Sequence, residues 1–122
     1  MIKHEAIEKL IACPSSDTDM IVDCLKSFET YHKAVYELEI TRRLLSSTME
    51  SSEYRERVQS LDRTRTMQHD SLIINVKVLN RMAEKNGLPL IYDGVVSEER
   101  PYRRELANAV FEYVEWLITT RA

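Results

Sequence analysis

The stretch SEYRERVQSLDRTRTMQHDSLIINVKVLNRMAEKN, Ser52 to Asn86, decides the fold, because its 35 residues contain neither glycine nor proline. Tyr54, Val58, Leu61, Leu72, Val76, Leu79 and Ala83 recur at three- and four-residue steps. Spacing of this kind puts one apolar stripe along a single long helix. Arg65 and His69 occupy the stripe positions between Leu61 and Leu72. A polar side chain on a buried face costs free energy unless a partner satisfies it, so this break marks where cross-helix pairing or chemistry is to be sought.

The rest of the chain fits a helical protein. A length of 122 residues suits a single helical domain spanning 1–122. With two glycines, three prolines and 30% charged residues, the composition is short of loop formers and excludes extended β architecture. The net charge of −3 supplies no positive field for a phosphate backbone. Arg55, Arg57, Arg63 and Arg65 point at different helical angles among Glu53, Glu56 and Asp62, which is a solvated, salt-bridged face and predicts no nucleic-acid binding. Cys13 and Cys24 cannot build a disulfide framework, and Cys24 reads as a small buried hydrophobe. Met1 to Leu10 lacks the apolar core of a signal peptide, and no apolar run approaches the ~18 residues of a membrane span. The expectation is a cytoplasmic protein in a reducing compartment, without membrane contact.

A short helix is predicted near Ile2 to Ala12, followed by Pro14. Ser16 and Asp19 match a capping box, starting a second helix near Asp17. Along it Ile21, Cys24, Phe28, Tyr31, Val35, Leu38, Arg42 and Leu45 form a packing seam. The polar cluster from Ser46 to Ser52 is a turn, with Ser51 or Ser52 as N-cap of the long third helix, and the short connection makes helices two and three antiparallel neighbours. Asn86-Gly87 ends the third helix. Leu90 to Val96 is apolar for a connection and carries an Asp93-Gly94 turn signal, so it packs against the body or forms a hairpin. The fourth helix begins near Ser97 to Pro101 and runs almost to Ala122. Apart from a strip of Glu105, Asn108, Glu112, Glu115 and Thr119 it is apolar nearly all round.

A helix of this length reaches ~50 Å at ~1.5 Å per residue, against a diameter near ~35 Å for a compact domain of the same mass. It must overhang, and three other helices are too few to surround the fourth. The sequence therefore predicts a homodimer whose interface contains Val110, Phe111, Val114, Trp116 and Leu117, with Ile91 and Tyr92 from the preceding loop. The expected fold class is all-α: an extended antiparallel bundle of one short and three long helices, completed by dimerisation.

If facing residues of helices two and three sum to about 98, His69 lies opposite Glu29, and Arg65 opposite His32 or Lys33. Glu29, His32, Arg65 and His69 then form a structural polar cluster with Asp70 at its edge, for example with Glu29 pairing Arg65, fixing helix register. A metal reading takes Glu29, His32, His69 and Asp70 as ligands. Glu29 and His32 have the Glu-x-x-His spacing of di-iron bundles, but the chain lacks the second such motif, leaving only Glu112 and Glu115 to add carboxylates. The order of His32, His69 and Asp70 also resembles that of the HD superfamily of helical metal-dependent phosphohydrolases, where a final aspartate would have to be loop residue Asp93. No nucleophilic triad, phosphate loop or zinc ribbon is present, so no catalytic residue or cofactor is predicted.

The run Leu61-Asp62-Arg63-Thr64-Arg65, continuing through His69-Asp70-Ser71-Leu72-Ile73 to Leu79-Asn80-Arg81, resembles a family of small all-helical bacterial proteins of unknown function. The resemblance covers most of the chain after Asp17; it implies a bacterial cytoplasmic origin and brings no activity or site residues. Three functions are open: a non-enzymatic interaction module, adaptor or regulator, with a protein partner; a metal-dependent enzyme; or a small-molecule sensor with a pocket lined by Leu72, Val76, Tyr113 or Trp116 between helices three and four.

Overall fold

The computed structural model describes residues 1–121. It contains four α-helices: α1 (His4–Ala12), α2 (Thr18–Ile40), α3 (Ser51–Lys85) and α4 (Arg100–Arg121). One is short and three are long, and β structure among the described residues is limited to an isolated bridge between Ile2 and Tyr92.

Local chemistry sets the boundaries. The N-cap of α2 is Asp17, whose carboxylate accepts from the Met20 amide at 3.2 Å. Ser16, expected in that role, instead donates to the carbonyls of Leu10 and Cys13 and closes the end of α1. The seam of α2 is buried at Ile21, Cys24, Phe28, Tyr31 and Leu38, but its next position is Thr41 in place of Arg42. An unpartnered guanidinium is costly to bury, and Arg42 is turned to solvent. Thr41–Leu45 form one π-helical turn before the chain reverses. The N-cap of α3 is Glu50 without a side-chain cap, so Ser51 and Ser52 lie inside the helix rather than before it. At its other end Gly87 takes φ 66°, its amide donates to Glu84 and that of Leu88 donates to Ala83 at 2.8 Å. These bonds form the paired helix stop that a left-handed glycine permits.

Connection 88–96 is packed, not a hairpin. Asn80 clamps it: its Oδ1 accepts from the amides of Ile91 (3.0 Å) and Tyr92 (3.3 Å), and its Nδ2 donates to the Tyr92 carbonyl (2.9 Å). On the far side the Lys3 amide donates to the Ile91 carbonyl at 2.8 Å. A Cβ on Gly94 would come within 2.5 Å of the Tyr92 ring, so the ring's close approach requires glycine there. Ile91 and Tyr92, predicted at a dimer interface, are thus inside the chain's own core, because α3 and the N-terminus together satisfy their backbone.

That core joins Phe28, Leu72, Val76, Leu79, Leu106 and Val110, with Ile7 and Leu10 closing it from α1. The antiparallel pairing of α2 and α3 appears in two contacts, Cys24 Sγ to Asn75 Oδ1 at 3.8 Å and the Tyr31 ring against His69 at 5.6 Å between centroids. The first buried residue of α3 is Leu72, so its N-terminal half overhangs with the end of α2 as a two-helix arm. The fourth helix is not buried all round. Leu106, Ala107, Val110, Tyr113 and Val114 face the core, whereas Trp116 is 46% and Ile118 53% exposed. Val110 and Val114, also predicted at the interface, are therefore core residues, since the other helices cover one face of α4 and leave its flanks open. Among the described residues no helix is long and apolar enough to cross a membrane.

Candidate functional site

The polar break in α3 lies where the four-helix body ends and the arm begins. Here His69 Nε2 donates to the carbonyl of Arg103, in the first turns of α4, at 3.0 Å. The Arg103 guanidinium in turn pairs with Asp70, and Arg65 pairs with Asp62 one turn away at 2.7 Å. Burial, the largest influence, pushes the His69 imidazole below its ordinary pKa, while the Arg103 carbonyl acts in the opposite direction. Burial raises the Tyr31 phenol beside it, against the fields of Arg65 and Arg103.

Tyr31, not Glu29, faces His69. The contact sums to 100 rather than 98, and residues 29 and 31 lie about 200° apart on a helix, so Glu29 is carried to another side and its predicted bond with Arg65 is not formed. His32 is likewise turned from Arg65. Its Nε2 donates to Glu115 of α4 at 2.8 Å, and its ring stacks on Phe111 with centroids 4.6 Å apart. Tyr36 also stacks with it, at 6.2 Å between centroids.

The predicted cluster is therefore divided, with Glu29 and His32 on the α2–α4 side and Arg65, His69 and Asp70 on the α3 side. Among the described residues no group of three or more His, Cys, Asp or Glu is placed to hold a metal ion. Asp93 pairs with Lys3 at 3.1 Å, where it cannot complete a set with His69. Sequence reasoning missed Arg103 and the pairing of His32 with Glu115. The available signal was the four-residue spacing of Phe111 and Glu115, which puts a ring and a carboxylate on one flank of α4.

His32 sits in an open groove of about 890 Å³ between α1, α2 and α4. Ile11, Val22, Leu25, Tyr36, Leu117 and Ile118 give it apolar walls, with Glu8, Lys26, Glu29 and Lys33 also along it. A second hollow of about 640 Å³ lies between the N-terminal segment and α4, lined by Ile2, Tyr113 and Trp116 among others. His4 belongs to both: its Nε2 donates to Glu8 at 2.7 Å, and its ring lies 4.7 Å from that of Trp116. Of the residues expected to line a pocket between helices three and four, Leu72 and Val76 are fully buried in the core, while Tyr113 and Trp116 line the hollow beside the N-terminal segment. Long apolar walls with opposite charges alongside can receive an amphipathic helix.

A family described as a protein of unknown function, DUF3232, matches residues 1–117. The chain belongs to this family. No curated protein and no solved structure matches it. The DUF3232 region takes in all of α1, α2 and α3 and the groove up to Leu117.

Proposed function

We propose that this protein is a non-enzymatic helical interaction module, an adaptor or regulator in a bacterial cytoplasm that works as a homodimer and offers its remaining faces to a protein partner. The observation that carries this reading is the groove beside His32, whose apolar walls lie open in a single chain. Open apolar walls rimmed by charged side chains are the kind of surface that a protein partner covers. The overhanging arm adds helix surface that is mostly charged, with Leu44 and Met67 exposed on it. Among the described residues no group of three or more His, Cys, Asp or Glu supports the metal-dependent alternative.

Sedimentation at tens of micromolar tests the reading. The expected species has twice the 14.3 kDa chain mass, and a monomer across that range overturns the homodimer.

A further inference from the structure

Besides its buried seam, α2 carries a second stripe. At 100° per residue Val22, Leu25, Glu29, Tyr36 and Ile40 fall within about 60° of one another, on the side away from Tyr31 and beside Phe28. Val22 is 41%, Tyr36 54% and Ile40 37% exposed, and nothing in the chain covers them fully. Lys26, Lys33 and Glu37 flank this stripe along one edge.

The stripe has nearly the same character when its direction is reversed. In an antiparallel pair related by a twofold axis, facing residue numbers have a constant sum, and paired residues lie on the same side of the stripe. With a sum of about 62, Val22 faces the partner's Ile40, Leu25 the partner's Tyr36, Lys26 the partner's Glu37 and Glu29 the partner's Lys33. Every pair is apolar with apolar or acid with base. Lowering the sum by four sets Glu29 against its own copy, and raising it by four does the same to Lys33. Of these three registers only the sum of about 62 is free of like-charge opposition, and like charges across an interface discriminate strongly against the wrong pairing.

Resting on the homodimer reading, we propose that a second copy of this chain occupies the groove, with α2 packed antiparallel on α2 of the second copy about a twofold axis near residue 31. The second copy's segment from Tyr36 to Ile40 then covers Val22 and Leu25, beside the walls formed by Ile11, Leu117 and Ile118. The arm, which has only two helices within one chain, gains a third wall from its neighbour. The Trp116 side of α4 is left free for another partner.

The test compares sedimentation equilibrium of the full chain with that of Glu29→Lys, Lys33→Glu, the double swap and Trp116→Asp. Residues 29 and 33 are exposed, and circular dichroism with thermal melting verifies that the fold persists. Each single reversal acts twice across the axis and is expected to weaken the dimer at least about tenfold. The double swap is expected to restore it to within about threefold, with Trp116→Asp leaving association unchanged. A dimer insensitive to the single reversals, a double swap as weak as either, or loss of the dimer only in Trp116→Asp overturns this register while leaving the homodimer standing. A monomeric parent chain overturns both.

Discussion

Leu61 and Leu72 lie on the same helix three turns apart, one in the arm and one in the body, and they show how differently the two regions are held. Leu72 is fully buried among residues from α2, α3 and α4. Leu61 is only half-buried in a hairpin of α2 and α3, where Ala34 and Leu38 are buried but stand outside the main core. The body is stabilised by a shared core, the arm by a seam one side chain wide. Helix formation in the arm therefore depends on propensity, turn chemistry and i,i+3 or i,i+4 pairs such as Asp62 with Arg65 and Glu39 with Arg43. Such pairs contribute only tenths of a kcal/mol each, so the arm is the region that opens at lower free energy.

The sharpest way to break this contrast is a matched truncation. Leu72→Ala is expected to cost about 2–5 kcal/mol in urea unfolding, whereas Leu61→Ala costs less than about 1.5 kcal/mol, because its site is half open and can relax. Equal losses would erase the distinction. Next in size is Asn80→Ala, which removes the acceptor for two amides and the donor to one carbonyl of the buried connection. A loss of about 1–3 kcal/mol is expected, with faster amide exchange at Ile91 and Tyr92 and none of that change in the arm.

The smallest effect tests the border between the two regions. His69 is faced by Tyr31 from α2, Arg65 and Asp70 from α3 and Arg103 from α4. Its pKa is lower folded than unfolded, so near its ordinary value of 6.5 the unfolded chain binds more protons. Stability is then complete above that value, declines as pH falls through it toward the folded pKa, and is flat below. Urea midpoints between pH 5 and 8 in the parent chain and in His69→Gln check the sign, the variant giving the shallower slope. The Asp93–Lys3 pair acts in a more acidic window: Lys3 holds that carboxylate below its ordinary 3.8, so the pair's contribution is present above that value and is lost as pH falls through it toward the folded pKa.

Much of this division is legible in the sequence. The long helix, its overhang and its glycine stop follow from stripe periodicity, length and a left-handed turn, all local properties. The break at Arg65 and His69 also marks a real boundary. Its partners were misassigned because a two-residue difference in register exchanges Glu29 for Tyr31, and the pattern of α2 alone cannot fix that. The rotation of α4, which carries Glu115 to His32 and Arg103 to His69, is set by packing against two other helices. The apolar loop announced that Ile91 and Tyr92 are covered. It did not reveal the cover, because Asn80 acts through backbone bonds and has no apolar signature.

The absence of a buried α3 residue before Leu72 means that the reach of this molecule is separable from its stability. Removing seven residues from each limb of the hairpin would shorten the arm by about 10 Å while keeping the stripe in phase and the body intact. The arm is thus a spacer of adjustable span, on which selection can alter distance without renegotiating the fold.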